Sequence, residues 1–186
     1  MMKKIAVAAL LLLLRIPSFA QGGVWEIDAG ISYIGADRES TLSEINLSTK
    51  NPSTILPTFS LRGGYSFPES FVGLFLDVSF SYARSVYQGG PSPLVEEEPI
   101  FHITPQLRLY YKNTPKLRMY ASLGGGLRIR QFSETFEGDT IRKPFFDFSW
   151  MASPFGISLG QHWNASLELG IGWAWSIGRF CVGYRF

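Results

Sequence analysis

The chain has 186 residues, 46% of them hydrophobic, 15% aromatic and 17% charged. The charged share lies below the roughly 25% of soluble domains. Together with 19 Gly, 5 Trp, 8 Tyr and 15 Phe it excludes a disordered chain, a coiled coil and a nucleic-acid binder with a basic stripe. The single Cys, Cys181, excludes an intrachain disulfide framework and a cysteine-rich zinc site. Two His leave little for a metal centre, so no cofactor is expected.

Residues 1–20 have the layout of a secretory signal peptide. Lys3 and Lys4 are basic, Ile5–Leu14 is apolar, and Ser18 and Ala20 place small residues before a cut after Ala20. The apolar run stops at Arg15, short of the about 20 residues a helical span needs. No Cys follows the cut, which argues against a lipid-anchored lipoprotein. Residues 21–186 are the expected mature domain. Losing Lys3, Lys4 and Arg15 lowers the 17 basic residues to 14 against 15 acidic ones. No argument for an anionic partner then rests on net charge.

After Ala20 no stretch reaches the roughly 18 consecutive apolar residues of a helical span. Alternation with period two appears instead, in eight segments, and a strand sends such residues to opposite faces. Val24–Ile34 sets Trp25, Ile27, Ala29, Ile31 and Tyr33 against Glu26, Asp28, Gly30 and Ser32. Leu56–Phe67 sets Phe59, Leu61, Tyr65 and Phe67 against Thr58, Ser60, Arg62 and Ser66. Phe71–Ser85 sets Val72, Leu74, Leu76, Val78, Phe80 and Tyr82 against Asp77, Ser79 and Ser81. Ile100–Tyr111 sets Phe101, Ile103, Leu107, Leu109 and Tyr111 against His102, Thr104, Gln106 and Arg108. Leu117–Arg130 sets Met119, Leu123, Leu127 and Ile129 against Arg118, Ser122, Arg128 and Arg130. In Phe145–Leu159 the apolar phase runs through Phe146, Phe148 and Trp150, then flips after Pro154. A bulge at Ser153–Pro154 is expected there, because bulges tolerate proline. Trp163–Trp173 sets Trp163, Leu167, Leu169 and Trp173 against Asn164, Ser166 and Glu168. Gly178–Phe186 sets Phe180, Val182, Tyr184 and Phe186 against Arg179, Cys181 and Arg185.

The connections alternate too. Residues 35–55, 86–99 and 131–144 form long loops; 68–70, 112–116 and 160–162 are short; the last connection, near 174–177, breaks the pattern by being short.

Alternation does not say which face is outside. A soluble barrel puts its apolar face in, a membrane barrel puts it out. The polar face carries Arg and no Lys, and is otherwise largely Gly and Ser, as suits a narrow lumen with paired carboxylates. The apolar face sets aromatics near both strand ends: Trp25, Tyr65, Tyr111 and Trp163 at one, Tyr33, Phe59, Tyr82, Phe101, Phe146 and Trp173 at the other. Such girdles sit at headgroup levels. The expected fold is all-β: a closed eight-stranded antiparallel up-and-down transmembrane β-barrel.

At this point the chain resembles the small eight-stranded outer-membrane barrels, the OmpA/OmpX type of Gram-negative bacteria, over its whole mature length. The most specific element is the last strand, Phe180-x-Val182-x-Tyr184-x-Phe186. The resemblance implies that this strand is the signal read by the barrel-assembly machinery. It also implies membrane lipid and lipopolysaccharide as surroundings, and the outer membrane as location. Because the chain stops at the barrel, no peptidoglycan-binding domain is expected to follow. With both termini periplasmic, the three long loops are extracellular. They hold Asp37, Glu39, Glu44, Glu96, Glu97, Glu98, Glu134, Glu137 and Asp139 against Arg38, Lys50, Arg142 and Lys143.

A lumen charge cluster is expected from Glu26, Asp28, Arg62, Asp77, Arg108, Arg118, Arg128, Arg130, Asp147, Glu168, Arg179 and Arg185. It either lines a selective water path or plugs an eight-strand barrel that side chains just fill; the plug is the reading taken here. His162, Asn164, Ser166 and Glu168 share a face, but Ser166 lies roughly 13 Å from His162 along a strand, too far for a triad. Some barrels of this kind modify lipid A, and such an enzyme needs a His, a Ser or Thr and an acid to converge at one rim. No matched pair is visible, so no enzyme is expected. Glu96-Glu97-Glu98 suggests a solvated loop face before a cation site. Cys181 is expected to fill lumen space. Gly124-Gly125-Gly126 marks close packing or curvature, since no helix follows it. The expected role is structural or surface-interactive, through acidic extracellular loops with an unidentified partner. The alternatives are a lipid-modifying enzyme of the same fold and a narrow ion channel.

Overall fold

The computed structural model describes residues 23–32, 54–55, 57–67, 71–87, 94–136, 139–172 and 177–186. Residues 1–20, expected to be a signal peptide, Tyr33, Trp173, Glu137, and the acidic and basic residues between 33 and 53 lie outside them.

Nine strands form one antiparallel sheet: β1 (Val24–Ser32), β2 (Thr54–Ile55), β3 (Thr58–Ser66), β4 (Val72–Tyr87), β5 (Leu94–Asn113), β6 (Leu117–Phe136), β7 (Asp139–Leu159), β8 (Trp163–Gly172) and β9 (Ile177–Arg185). β2 pairs with Ala83 and Arg84 of β4, past the point where Phe59 of β3 meets Phe80, so it prolongs the line of β3. The wall is therefore eight-stranded. It closes where β1 pairs with β9, Glu26 opposite Arg185 and Ser32 opposite Arg179. Closure leaves no edge across the hydrocarbon, where an unpaired backbone group costs several kcal/mol.

Burial is inverted relative to a soluble protein. Leu61, Leu123, Phe148 and Ile171 are each 59–64% exposed, whereas Glu26, Asp77 and Glu168 are fully buried. Apolar side chains point out of the barrel and charges point in. Only hydrocarbon makes such an exterior favourable. The run from Leu117 to Ile129, rising about 3.3 Å per residue and tilted near 40°, spans roughly 30 Å, a bilayer core.

The bulge falls at Ser153–Pro154. Ala152 pairs with Ile171 and Phe155 with Leu169, so two residues, Ser153 and Pro154, face one on β8, and β7 carries one extra residue. Met151 and Ser153 are buried before it and Gly156 and Ser158 after it, which resets the phase. A second irregularity lies at Tyr111, between Tyr110 and Lys112.

The structure corrects the loop boundaries. Residues 94–99, 131–136 and 139–144 are strand, not loop. β5, β6 and β7 reach 20, 20 and 21 residues, against 9 each for β1, β3 and β9. One side of the barrel thus continues past the lipid-facing band as a blade of β4–β7. The end opposite the blade, where Gly23 and Phe186 lie, is called the terminal end below.

Candidate functional site

The lumen of the terminal half is filled by a bonded charge network. Glu168 is its hub. Its Oε1 accepts from Arg62 Nη1 at 2.6 Å, Arg108 Nη2 at 3.2 Å and Tyr120 Oη at 2.7 Å. Its Oε2 accepts from Arg179 Nη2 at 2.6 Å and Nε at 3.1 Å. Arg62 also holds Asp28 Oδ2 through Nη2 at 2.6 Å and Nε at 3.0 Å, and Arg179 donates to Asp77. Nearer the terminal end, Glu26 accepts from Arg108 at 3.3 Å, Arg118 at 3.2 Å and Arg185 at 2.7 Å. Arg185 continues to the Gly160 carbonyl at 2.7 Å and to Ser158 Oγ.

All nine of these charged side chains are at most 4% exposed. Ions taken from water are costly unless they are paired and multiply hydrogen-bonded. Arginine meets that need with a fixed fork of donors, which a lysine at the same positions would lack.

Three aromatics complete the packing. The Arg108 guanidinium lies between the rings of Phe75 and Tyr120, 3.9 and 4.1 Å from their centroids. Tyr110 bonds Ser66 at 2.8 Å and packs on Tyr120. Space for them comes from glycines: the Phe75 ring stands where a side chain on Gly64 would be, and the Tyr120 ring where one on Gly156 would be. The sequence reading missed Phe75, Tyr110 and Tyr120. The signal was their parity, since each shares the phase of a lumen charge: Asp77, Arg108 and Arg118.

The remaining members of the charge set lie apart, towards the blade. Arg130 Nη2 and Arg128 Nη2 hold Asp147 at 2.7 and 3.2 Å, and Arg130 reaches Glu98 at 3.4 Å, all partly exposed. Glu97 pairs with Arg84 at 3.7 Å. Glu97 and Glu98 are therefore paired strand residues rather than loop residues, and Glu97 keeps its solvation, with its side chain 46% exposed. Among the described residues no group of three or more His, Cys, Asp or Glu is placed to hold a metal.

Between these two clusters the lumen is lined by hydroxyls. Ser79, Ser81, Thr58 and Thr104 are buried, and their hydroxyl oxygens have no partner among the described residues. His102 Nδ1 and Ser149 Oγ meet at 2.9 Å, a pair the sequence reading also missed. They sit on β5 and β7, two strands apart. On the strand between them, Gly126 stands opposite Ser149, and a Cβ there would meet the backbone of Ile103 and Thr104. His102 Nε2 has no partner to orient it, and both residues are at most 1% exposed. A nucleophile–base pair needs a third orienting group and an approach for substrate; this pair has neither. His162 bonds the Arg185 carbonyl, Asn164 bonds Ser158, and Glu168 is engaged as above, so these do not assemble into a triad. Cys181 is free and buried in the lumen.

On the outer face, Phe59, Phe101, Tyr111, Phe146 and Trp163 are 46–72% exposed. Tyr65 shares their face but is only 6% exposed, because Trp25 and Phe67 pack against it at 5.1 and 5.2 Å. Trp25 and Tyr82 are half-buried. Phe180, Val182, Tyr184 and Phe186 lie along the outward face of β9 and its end, with Tyr184 edge-on to Trp163 and Phe186.

No family model matches the chain, and no curated protein matches it. Among solved structures, similarity is found to Ail, the attachment invasion locus protein of Yersinia pestis, at 17% identity over 89% of this chain and 100% of that one, with a TM-score of 0.46. The same protein solved with the heparin analogue sucrose octasulfate gives the same values. The N-terminal β-barrel domain of Pseudomonas aeruginosa OprF is 16% identical over 88% of this chain and 97% of that one, with a TM-score of 0.36. By its own closure, register and inside-out burial, the chain has the fold of the small eight-stranded outer-membrane barrels.

Proposed function

We propose that the protein is a non-enzymatic, plugged barrel of the outer membrane whose work is done at the cell surface by the β4–β7 blade. The observation that carries this reading is the sealed lumen. A channel needs a continuous water path, yet the charges from Glu26 to Asp77 are bonded to one another and excluded from solvent. The lumen then serves as a rigid core, and the parts left to meet other molecules are those outside the hydrocarbon.

Among the described residues the blade is the largest such part. Thr140 to Phe146 are exposed without interruption. β8 pairs with β7 only from Met151 onward, so on that side the rest of β7 has no partner among the described residues. Arg142, Lys143 and Pro144 lie along this border, and charge and proline are the usual means of keeping such a strand from pairing at random. Glu97 and Glu98 of the acidic set belong to this blade, whereas Asp37, Glu39, Glu44 and Glu137 lie outside the described residues. Lipopolysaccharide and membrane lipid surround the barrel, and the outward face of β9 is offered to the assembly machinery.

Orientation is tested by labelling intact cells with a membrane-impermeant maleimide. Lys143→Cys is expected to label, and Thr114→Cys, in the turn at the terminal end, only after the envelope is opened. Cys181 is buried and adds no background. The reverse pattern would place the blade in the periplasm and end the surface reading.

A further inference from the structure

The outer wall carries a notch of about 660 Å³. Leu107, Leu123, Phe148 and Trp150 stand around it, Pro105 is in its wall, and Gly125 forms part of its floor. Two features of the sequence make it. Gly125 belongs to the outward phase of β6, between Leu123 and Leu127, and is the one position there that raises no side chain. A Cβ built on it meets only Phe148 closely, at 3.1 Å. Pro105 has no N–H to give its neighbour. Its pairing with Leu76 of β4 is kept, but towards β6 the ladder stops at Ile103–Leu127 and resumes at Gln106–Gly124, with no change of register. The notch therefore lies over a seam in the wall.

Its depth fixes its surroundings. Met119, Ala121, Leu123, Leu127 and Ile129 occupy the outward positions of β6 on either side, and none is charged. Leu123 is 61% and Phe148 64% exposed at its rim, so the notch is continuous with the lipid-facing band. The only material at that depth is hydrocarbon. A groove left empty there loses the dispersion contacts of its lining on one side. A flexible chain of methylenes recovers them without needing a complementary protein surface.

We propose that this notch is a binding site for one acyl chain of a membrane lipid, held over the β5–β6 seam as a structural lipid. The site goes beyond the surface role and does not depend on it. Its occupant is a lipid, recognised by shape through Gly125 and by the apolar walls of Phe148, Trp150 and the two leucines.

Trp150 makes the site measurable. In the full chain, Trp25, Trp163, Trp173 and Trp175 are replaced by Phe, leaving Trp150 as the only indole. The refolded protein in detergent is titrated with a phosphatidylcholine brominated at the middle of its acyl chain, whose bromines quench indole on contact. Saturating quenching near one lipid per barrel is expected. Gly125→Leu, which fills the notch, is expected to weaken that binding by about tenfold or more. Gly63→Leu adds the same side chain at an outward position with nothing within 4 Å, and is expected to leave the curve unchanged. If Gly125→Leu does not fold, Gly125→Ala must shift the curve in the same direction. Quenching that rises without saturation, or curves identical for wild type and Gly125 variants, would overturn the site. So would quenching that tracks formation of a dimer by sedimentation, which would make the notch a contact between copies.

Discussion

The two halves of the lumen face the same strands and are built on different chemistry. Towards the terminal end, four carboxylates and five arginines form one connected network, with Glu168 accepting from three guanidiniums and a phenol. Towards the blade, below the partly exposed cluster of Arg128, Arg130, Asp147 and Glu98, the lining is Ser, Thr, His102 and Ser149, and several hydroxyls have no partner among the described residues. The first half is built on two hubs: Glu168 and Glu26 each accept from three arginines, so removing either one strands several partners at once. The second half is nearly indifferent to any one of its polar groups. Rigidity of the barrel therefore resides mainly in the charged half.

Variants can sharpen that contrast, compared by urea unfolding in lipid vesicles. The largest effect is expected from Glu168→Ala. It leaves Arg62, Arg108 and Arg179 without their shared acceptor, and breaking a buried ionic cluster costs about 3–5 kcal/mol. Gly156→Ala comes next. A Cβ there collides with the Tyr120 ring, which also supports Arg108, and overpacking costs about 1–3 kcal/mol. Glu98→Gln, at the partly exposed pair with Arg130 near the blade, is expected to cost no more than about 1 kcal/mol, falling further in salt. The smallest change is expected from Thr104→Val. Its hydroxyl is buried without a partner among the described residues, so a similar shape lacking it is neutral or slightly stabilising, within about 0.5 kcal/mol. If Thr104→Val costs as much as Glu168→Ala, the distinction between the halves fails.

Sequence alone revealed the wall better than its contents. Where one face meets lipid and the other a polar lumen, period two is strict, and even the Ser153–Pro154 bulge shows as a phase flip. Past the hydrocarbon both faces are wet, the alternation disappears, and Glu96-Glu97-Glu98 looks like loop although it is strand. Inside the barrel the charges were readable one by one. Some partners stand directly opposite in the ladder, as do Asp28 and Arg62, Glu26 and Arg185, and Glu168 and Arg179. Others were not readable, because Glu26 and Arg118, or Arg62 and Glu168, meet across the lumen and not along the register. Phe75 and Tyr120 broke the expected pattern for the same reason. Arginine forks and aromatic faces fill the lumen together, and which glycine gives them room depends on the stagger of neighbouring strands. The His102–Ser149 contact likewise joins residues two strands apart, outside any ladder pairing.

The most direct test of the sealed lumen is a single-channel recording of the refolded barrel, residues 21–186, in a planar bilayer. The bonded network predicts silence from protein that shows a heat-modifiable folded band on a gel. Steady, ion-selective steps from that same folded protein would contradict it, and would make the arginines around Glu168 the lining of a conducting path.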